Sequence, residues 1–85
     1  MKKICYYDNK NIIAANLKKA RQNIGLSQSD LAARLQTMNL NIDQQMISKI
    51  EMNKRQVTDY ELAYICKCLS TTPNELLGFD KIKLE

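Results

Sequence analysis

The sequence predicts an all-α domain of five short helices. Three observations carry this: the long apolar patterns all have the helical spacing of three and four residues; Ser27, Asp43, Thr58 and Thr72 stand as caps before four of them; and the two glycines and the single proline fall where helices end or begin. Eighty-five residues form one small domain, enough for a compact helical bundle.

The first helix runs roughly from Asn11 to Asn23, with Ile13, Leu17, Ala20 and Ile24 on one face. Gly25 suits the left-handed residue that ends it. Ser27 caps the second helix through its hydroxyl, with Asp30 three residues on near the positive helix start, so this helix begins at about Gln28. Leu31, Ala32 and Leu35 share a face, and Ala32 is small enough for another helix to approach closely. Asp43 caps the third helix, which buries Ile47 and Ile50 and turns Gln44, Gln45, Ser48 and Lys49 away from the core. Thr58 with Glu61 forms a capping box for the fourth helix, which buries Leu62, Ile65, Cys66 and Leu69. The fifth has Thr72 as cap, Pro73 at its first position and Glu75 completing the box, then Leu76 and Leu77 before Gly78. The predicted division is an N-terminal extension over 1–10, a domain over 11–78 and a tail over 79–85 that alternates apolar and charged residues.

Composition frames the possible functions. A net charge of +4 fits a polyanionic partner, although basicity of this size decides little alone. No apolar run is long enough to span a bilayer, and Asp8, Asn9, Lys10 and Asn11 interrupt any signal-like segment after Lys2 and Lys3, so the expected location is the cytoplasm. Three cysteines, an odd number, argue against a disulfide framework and agree with a reducing compartment. With no histidine and no glycine-rich phosphate loop, and with acidic residues mainly at helix starts, neither an enzyme nor a cofactor or metal site is expected. Cys66 and Cys68 lie two apart, face different ways on a helix, and read as core filler and a partly exposed thiol. Tyr6, Tyr7, Tyr60 and Tyr64 read as cover for the core edge, and Lys18 with Lys19 as a solvated face.

The stretch GLSQSDLAARL, followed after a gap by DQQMISKIE, carries the function. Two short helices that cross tightly, the second with a free polar face, form the layout of a DNA-reading helix-turn-helix. Glutamine pairs bidentately with adenine and lysine reaches guanine acceptors, each good pair giving about 1–3 kcal/mol of discrimination. Within this layout Gln44, Gln45, Ser48 and Lys49 are candidate base contacts.

These residues resemble the phage repressor and Cro type of helix-turn-helix, also called the xenobiotic-response-element type. The resemblance spans Ile12 to Gly78 through ARQNIGLSQSDLA, QQMISKIE, NKR and YELAYICKCLSTTPNELLG, in the family's order and nearly its spacing. It implies a five-helix, lambda-repressor-like bundle that binds double-stranded DNA as a small regulator, repressor-like, and as a homodimer on a two-fold site. By resemblance, Gln28 touches a phosphate and braces the start of the third helix. Gln44, Gln45 and Lys49 fall on base-reading positions, Lys54 and Arg55 on a phosphate-contacting loop, and Arg21 with Glu51 on a structural ion pair. Leu76, Leu77, Phe79 and Ile82 are the apolar surface expected to pair two copies.

The sequence departs from the family pattern twice. Gln36 follows Leu35 where the family soon has glycine, and QTMNLNI adds about five residues before Asp43. The second helix is therefore expected to run on through Met38, Asn39 or Asn41 to turn left-handed, and Leu40 and Ile42 to anchor the added segment. The other departure is Asn53 in place of the usual glycine. An alternative function on the same fold is a protein-interaction module, antitoxin-like, in which the lengthened turn displaces the third helix. Strong, salt-dependent DNA binding separates the two.

Overall fold

The computed structural model describes residues 9–81, and among them there are five α-helices and no strand: α1 (Ala14–Asn23), α2 (Gln28–Thr37), α3 (Gln44–Glu51), α4 (Asp59–Leu69) and α5 (Pro73–Leu77), followed by a 3₁₀ turn over Phe79–Lys81. The predicted all-α, five-helix class is the observed one. Tyr6, Tyr7 and Ile82 lie outside the described residues.

Each helix from α2 onward begins on a reciprocal cap. Ser27 Oγ accepts from the Asp30 amide at 3.0 Å while the Asp30 carboxylate accepts from the Ser27 amide at 3.0 Å. Thr58 with Glu61 and Thr72 with Glu75 repeat the arrangement. Asp43 accepts from the Met46 amide at 2.8 Å, with the Met46 thioether in the returning role. These bonds satisfy amides that the first turn of a helix leaves without partners. Leu26, Ile42 and Val57 stand just before three of the caps, with Leu31, Ile47 and Leu62 four positions into the helices, so each pair occupies the positions of a hydrophobic staple that fixes how the chain enters.

The C-terminal ends share a device as well. Gly25, Asn39, Asn53, Ser70 and Gly78 all have positive φ, between 54° and 75°. At the first four, the following residue's amide reaches back to a carbonyl five positions earlier: Leu26 to Arg21, Leu40 to Leu35, Lys54 to Lys49 and Thr71 to Cys66. Glycine or asparagine carries this conformation cheaply, whereas Ser70 does not. Ser70→Gly is therefore expected to raise stability by up to about 1 kcal/mol. An unchanged or lower urea midpoint would show that the Ser70 side chain offsets its backbone strain.

α2 packs on α3 and α4, α1 on α3 and α5, and α4 on α5. They enclose one core in which Leu17, Leu31, Leu35, Ile42, Ile47, Ile50, Ile65 and Leu76 are completely or almost completely buried. The lengthened turn belongs to it. α2 ends at Thr37 with Met38 as its cap, Asn39 is the left-handed residue, Ile42 is fully buried and Leu40 is half-buried. Gln36 Nε2 donates to the Ile42 carbonyl at 3.1 Å, closing the segment onto the end of α2.

Three expectations are corrected. α1 begins at Ala14, not Asn11, because the Asn11 amide and side chain are engaged by the last turn of α3 and the loop after it. Ile24 is 45% exposed instead of facing the core, since the chain has already left the helix there to turn through Gly25. Leu62, expected in the core, is half-buried beside it.

Candidate nucleic-acid interface

The free face of α3 follows from its spacing. Ile47 and Ile50 are fully buried, which turns Gln44, Gln45 and Lys49 outward to an exposed surface and leaves Ser48 half-buried. Ala32, 5% exposed on α2, lies in the core, on a helix that packs against both α3 and α4.

The end of α3 is held by a buried charge network. Arg21 on α1 forks onto Glu51, with Nε donating to Oε2 at 2.7 Å and Nη2 to Oε1 at 2.9 Å. Its Nη1 donates to the Leu26 carbonyl at 2.8 Å, so one guanidinium joins α1, the turn before α2 and the last residue of α3. Gln28, the first residue of α2, was expected to brace the start of α3 but instead donates from Nε2 to Glu51 Oε1, at its end, at 3.0 Å. Burial pushes the Glu51 carboxyl up, but the hydrogen bonds from Arg21 and Gln28 and the charges of Arg21 and Lys18 outweigh it and hold the group below its ordinary value. The hydrogen bond to Glu51 raises Arg21 further. Both charges stay on, and α3 is locked to α1 and α2.

The loop after α3 presents Lys54 exposed and Arg55 half-buried. Arg55 is not an isolated cation: Nη1 and Nη2 each donate to a Glu61 carboxylate oxygen at 2.9 Å, and Nη1 also donates to the Gln56 carbonyl at 3.0 Å. The hydrogen bonds from Arg55 hold the Glu61 carboxyl below its ordinary range. Sequence reasoning saw Glu61 only as a capping residue. Its pairing with Arg55 across a non-periodic turn leaves no spacing signal. Asn11 was missed in the same way, since its partners lie about forty residues downstream.

The remaining polar and sulfur side chains differ in exposure. Lys18, Lys19 and Tyr60 are exposed, Tyr60 at 74%, and Tyr64 is half-buried against the core. Cys66 is buried and Cys68 half-buried; burial pushes both thiols up, which suits packing better than redox chemistry. Among the described residues no three metal-ligating side chains gather, and no helix is long and apolar enough to cross a membrane.

A capped helix packed on the helix before it, its outer face polar, its end locked by an ion pair and followed by a basic loop, defines a helix-turn-helix protein. Residues 17–76 match the helix-turn-helix family model of the phage repressor and Cro type, and the chain belongs to that family of DNA-binding regulators. No curated protein and no solved structure shows significant similarity to it.

Proposed function

We propose that this protein is a sequence-specific, repressor-like regulator of transcription that inserts α3 into the major groove of double-stranded DNA. The observation that carries the reading is the segregation of α3: Ile47 and Ile50 are fully buried while Gln44, Gln45 and Lys49 are exposed on a helix whose end is fastened by Arg21 and Glu51. Gln44, Gln45, Ser48 and Lys49 contact base edges. Gln28, Lys54 and Arg55 contact phosphates and set the register, and regulation follows from occupancy of the site. Gln28 retains its amide oxygen and one N–H beyond its bond to Glu51, and Arg55 retains two of its five N–H donors.

Two copies pair through α5 and the tail. Phe79 is 56% exposed and Leu77 only half-buried, a large apolar surface for so short a segment. A two-fold pair places its α3 helices about 34 Å apart and requires a roughly palindromic site. The protein acts in the cytoplasm.

Selection of duplexes from a random pool, followed by binding titrations against salt, tests this. The enriched sequence is expected to be a palindrome. Gln45→Ala should relax one base position at a cost of about 1–3 kcal/mol, whereas Lys54→Ala and Arg55→Ala should weaken every duplex and each flatten the salt slope by about one. No enrichment would overturn the reading, and uniform weakening by Gln45→Ala would misplace the base-reading face. A single asymmetric half-site bound at full affinity by one copy would remove the dimer.

A further inference from the structure

The residues preceding α1 are stitched to the far end of α3 by an asparagine clasp. The amides of Lys10 and Asn11 both donate to Asn53 Oδ1, at 2.8 and 3.0 Å, and Asn53 Nδ2 donates to Asn9 Oδ1. Asn11 Nδ2 donates to the Ile50 carbonyl at 3.0 Å and the Arg55 carbonyl at 2.9 Å, using both of its hydrogens, while Asn11 Oδ1 accepts from the Ile13 amide at 3.0 Å. The bonds fall on both sides of Lys54. Ile50 and Asn53 hold the chain before it, Arg55 holds the chain after it, and the Lys54 amide itself donates to the Lys49 carbonyl at 2.8 Å.

This explains an asparagine at position 53. Its φ of 59° is one that glycine adopts with less strain, so a purely conformational requirement would favour glycine. Asparagine supplies what glycine lacks, an acceptor for two backbone N–H groups and a donor for Asn9. The side chain links the chain entering α1 to the chain leaving α3.

We propose that Asn11 and Asn53 are positioning residues that fix the loop carrying Lys54 and Arg55, and that they set DNA affinity through that loop. The proposal deepens the DNA-binding reading above and rests on it for the affinity half; the fixing of the loop stands on geometry alone.

Asn53→Gly keeps the left-handed turn and removes the Asn53 side of the clasp, its bonds to Asn9, Lys10 and Asn11. Asn11→Ser keeps a hydroxyl acceptor for the Ile13 amide at the start of α1 but cannot span Ile50 and Arg55, which separates the loop from helix initiation. Both variants are expected to keep helical content by circular dichroism and to speed hydrogen exchange at the Asn53 and Lys54 amides about fivefold to tenfold, the scale of one or two lost neutral hydrogen bonds. On the duplex selected by the wild type, each should raise Kd by a similar factor. The two variants remove different bonds of one clasp that hold the same loop, so the cost of the double variant should fall short of the sum of the two single costs. Exchange within twofold of wild type in both variants would overturn the clasp. Faster exchange with unchanged Kd would overturn its role in affinity. If the wild type selects no duplex, the DNA reading and the affinity half fail together, and the exchange result still decides whether the asparagines hold the loop.

Discussion

Arg21→Met is expected to destabilise the domain by about 3–5 kcal/mol, because it removes the cation and leaves Glu51 charged and buried. The Glu51 side chain is only 3% exposed and that of Arg21 9%, so solvent cannot take over the lost partner. Methionine fills the volume of the arginine stem, which separates loss of charge from a cavity, but it leaves the Leu26 carbonyl without its donor as well. Small domains have about 5–15 kcal/mol in total, so the variant should sit near the edge of folding.

The pH dependence identifies the cause. The Glu51 carboxyl is depressed in the folded protein, so its contribution is fully present above the unfolded value of about 4.3 and is lost as pH falls through the folded value. In Arg21→Met the lowering by Arg21 is gone and the carboxyl rises relative to the wild type, so the variant should lose less than the wild type on acidification. The stability gap between them, measured by urea unfolding, should narrow below about pH 4.3. Glu61 is depressed too and adds to the acid lability of both proteins equally. A gap under about 1 kcal/mol, or one independent of pH, would show that the pair is not the fastening inferred here.

Ile42→Ala is expected to cost about 2–5 kcal/mol, whereas Asn41→Ala beside it should change stability by less than about 0.5 kcal/mol. Ile42 is fully buried within the same core as Ile47, although it belongs to a connection and not to a helix. It stands immediately before the cap Asp43, and Gln36 Nε2 donates to its carbonyl. Removing its side chain therefore opens a cavity at the point where the lengthened turn hands the chain to α3. Urea midpoints at unchanged m value provide the comparison. Equal costs at the two positions would mean that the added residues ride on the surface and leave α3 to be placed by its own packing.

The sequence by itself determined the features whose causes lie within one or two helical turns. Ser27, Asp43, Thr58 and Thr72 bond amides three residues on, so the starts of four helices were legible. The alternation of Ile47 and Ile50 with Gln44, Gln45 and Lys49 is a property of the 3.6-residue period, so the exposed face of α3 was legible too. Asn53 carried the left-handed turn that local sterics allow it, whereas the sequence left Asn39 and Asn41 both open for the earlier one and the structure takes Asn39. Tertiary structure decided the rest. Ser70 turns left-handed without any intrinsic preference, Ile24 is left outside because the chain turns at Gly25, and Arg55 finds Glu61 only when the loop folds back on α4. Asn11 is the extreme case: its bonds to Ile50 and Arg55 cross 39 and 44 residues, and a polar side chain before a helix carries no periodic signal of such partners. Local hydrogen bonds and helical period act over a few residues and are written in the chain, whereas pairing between distant polar groups depends on how packing brings them together.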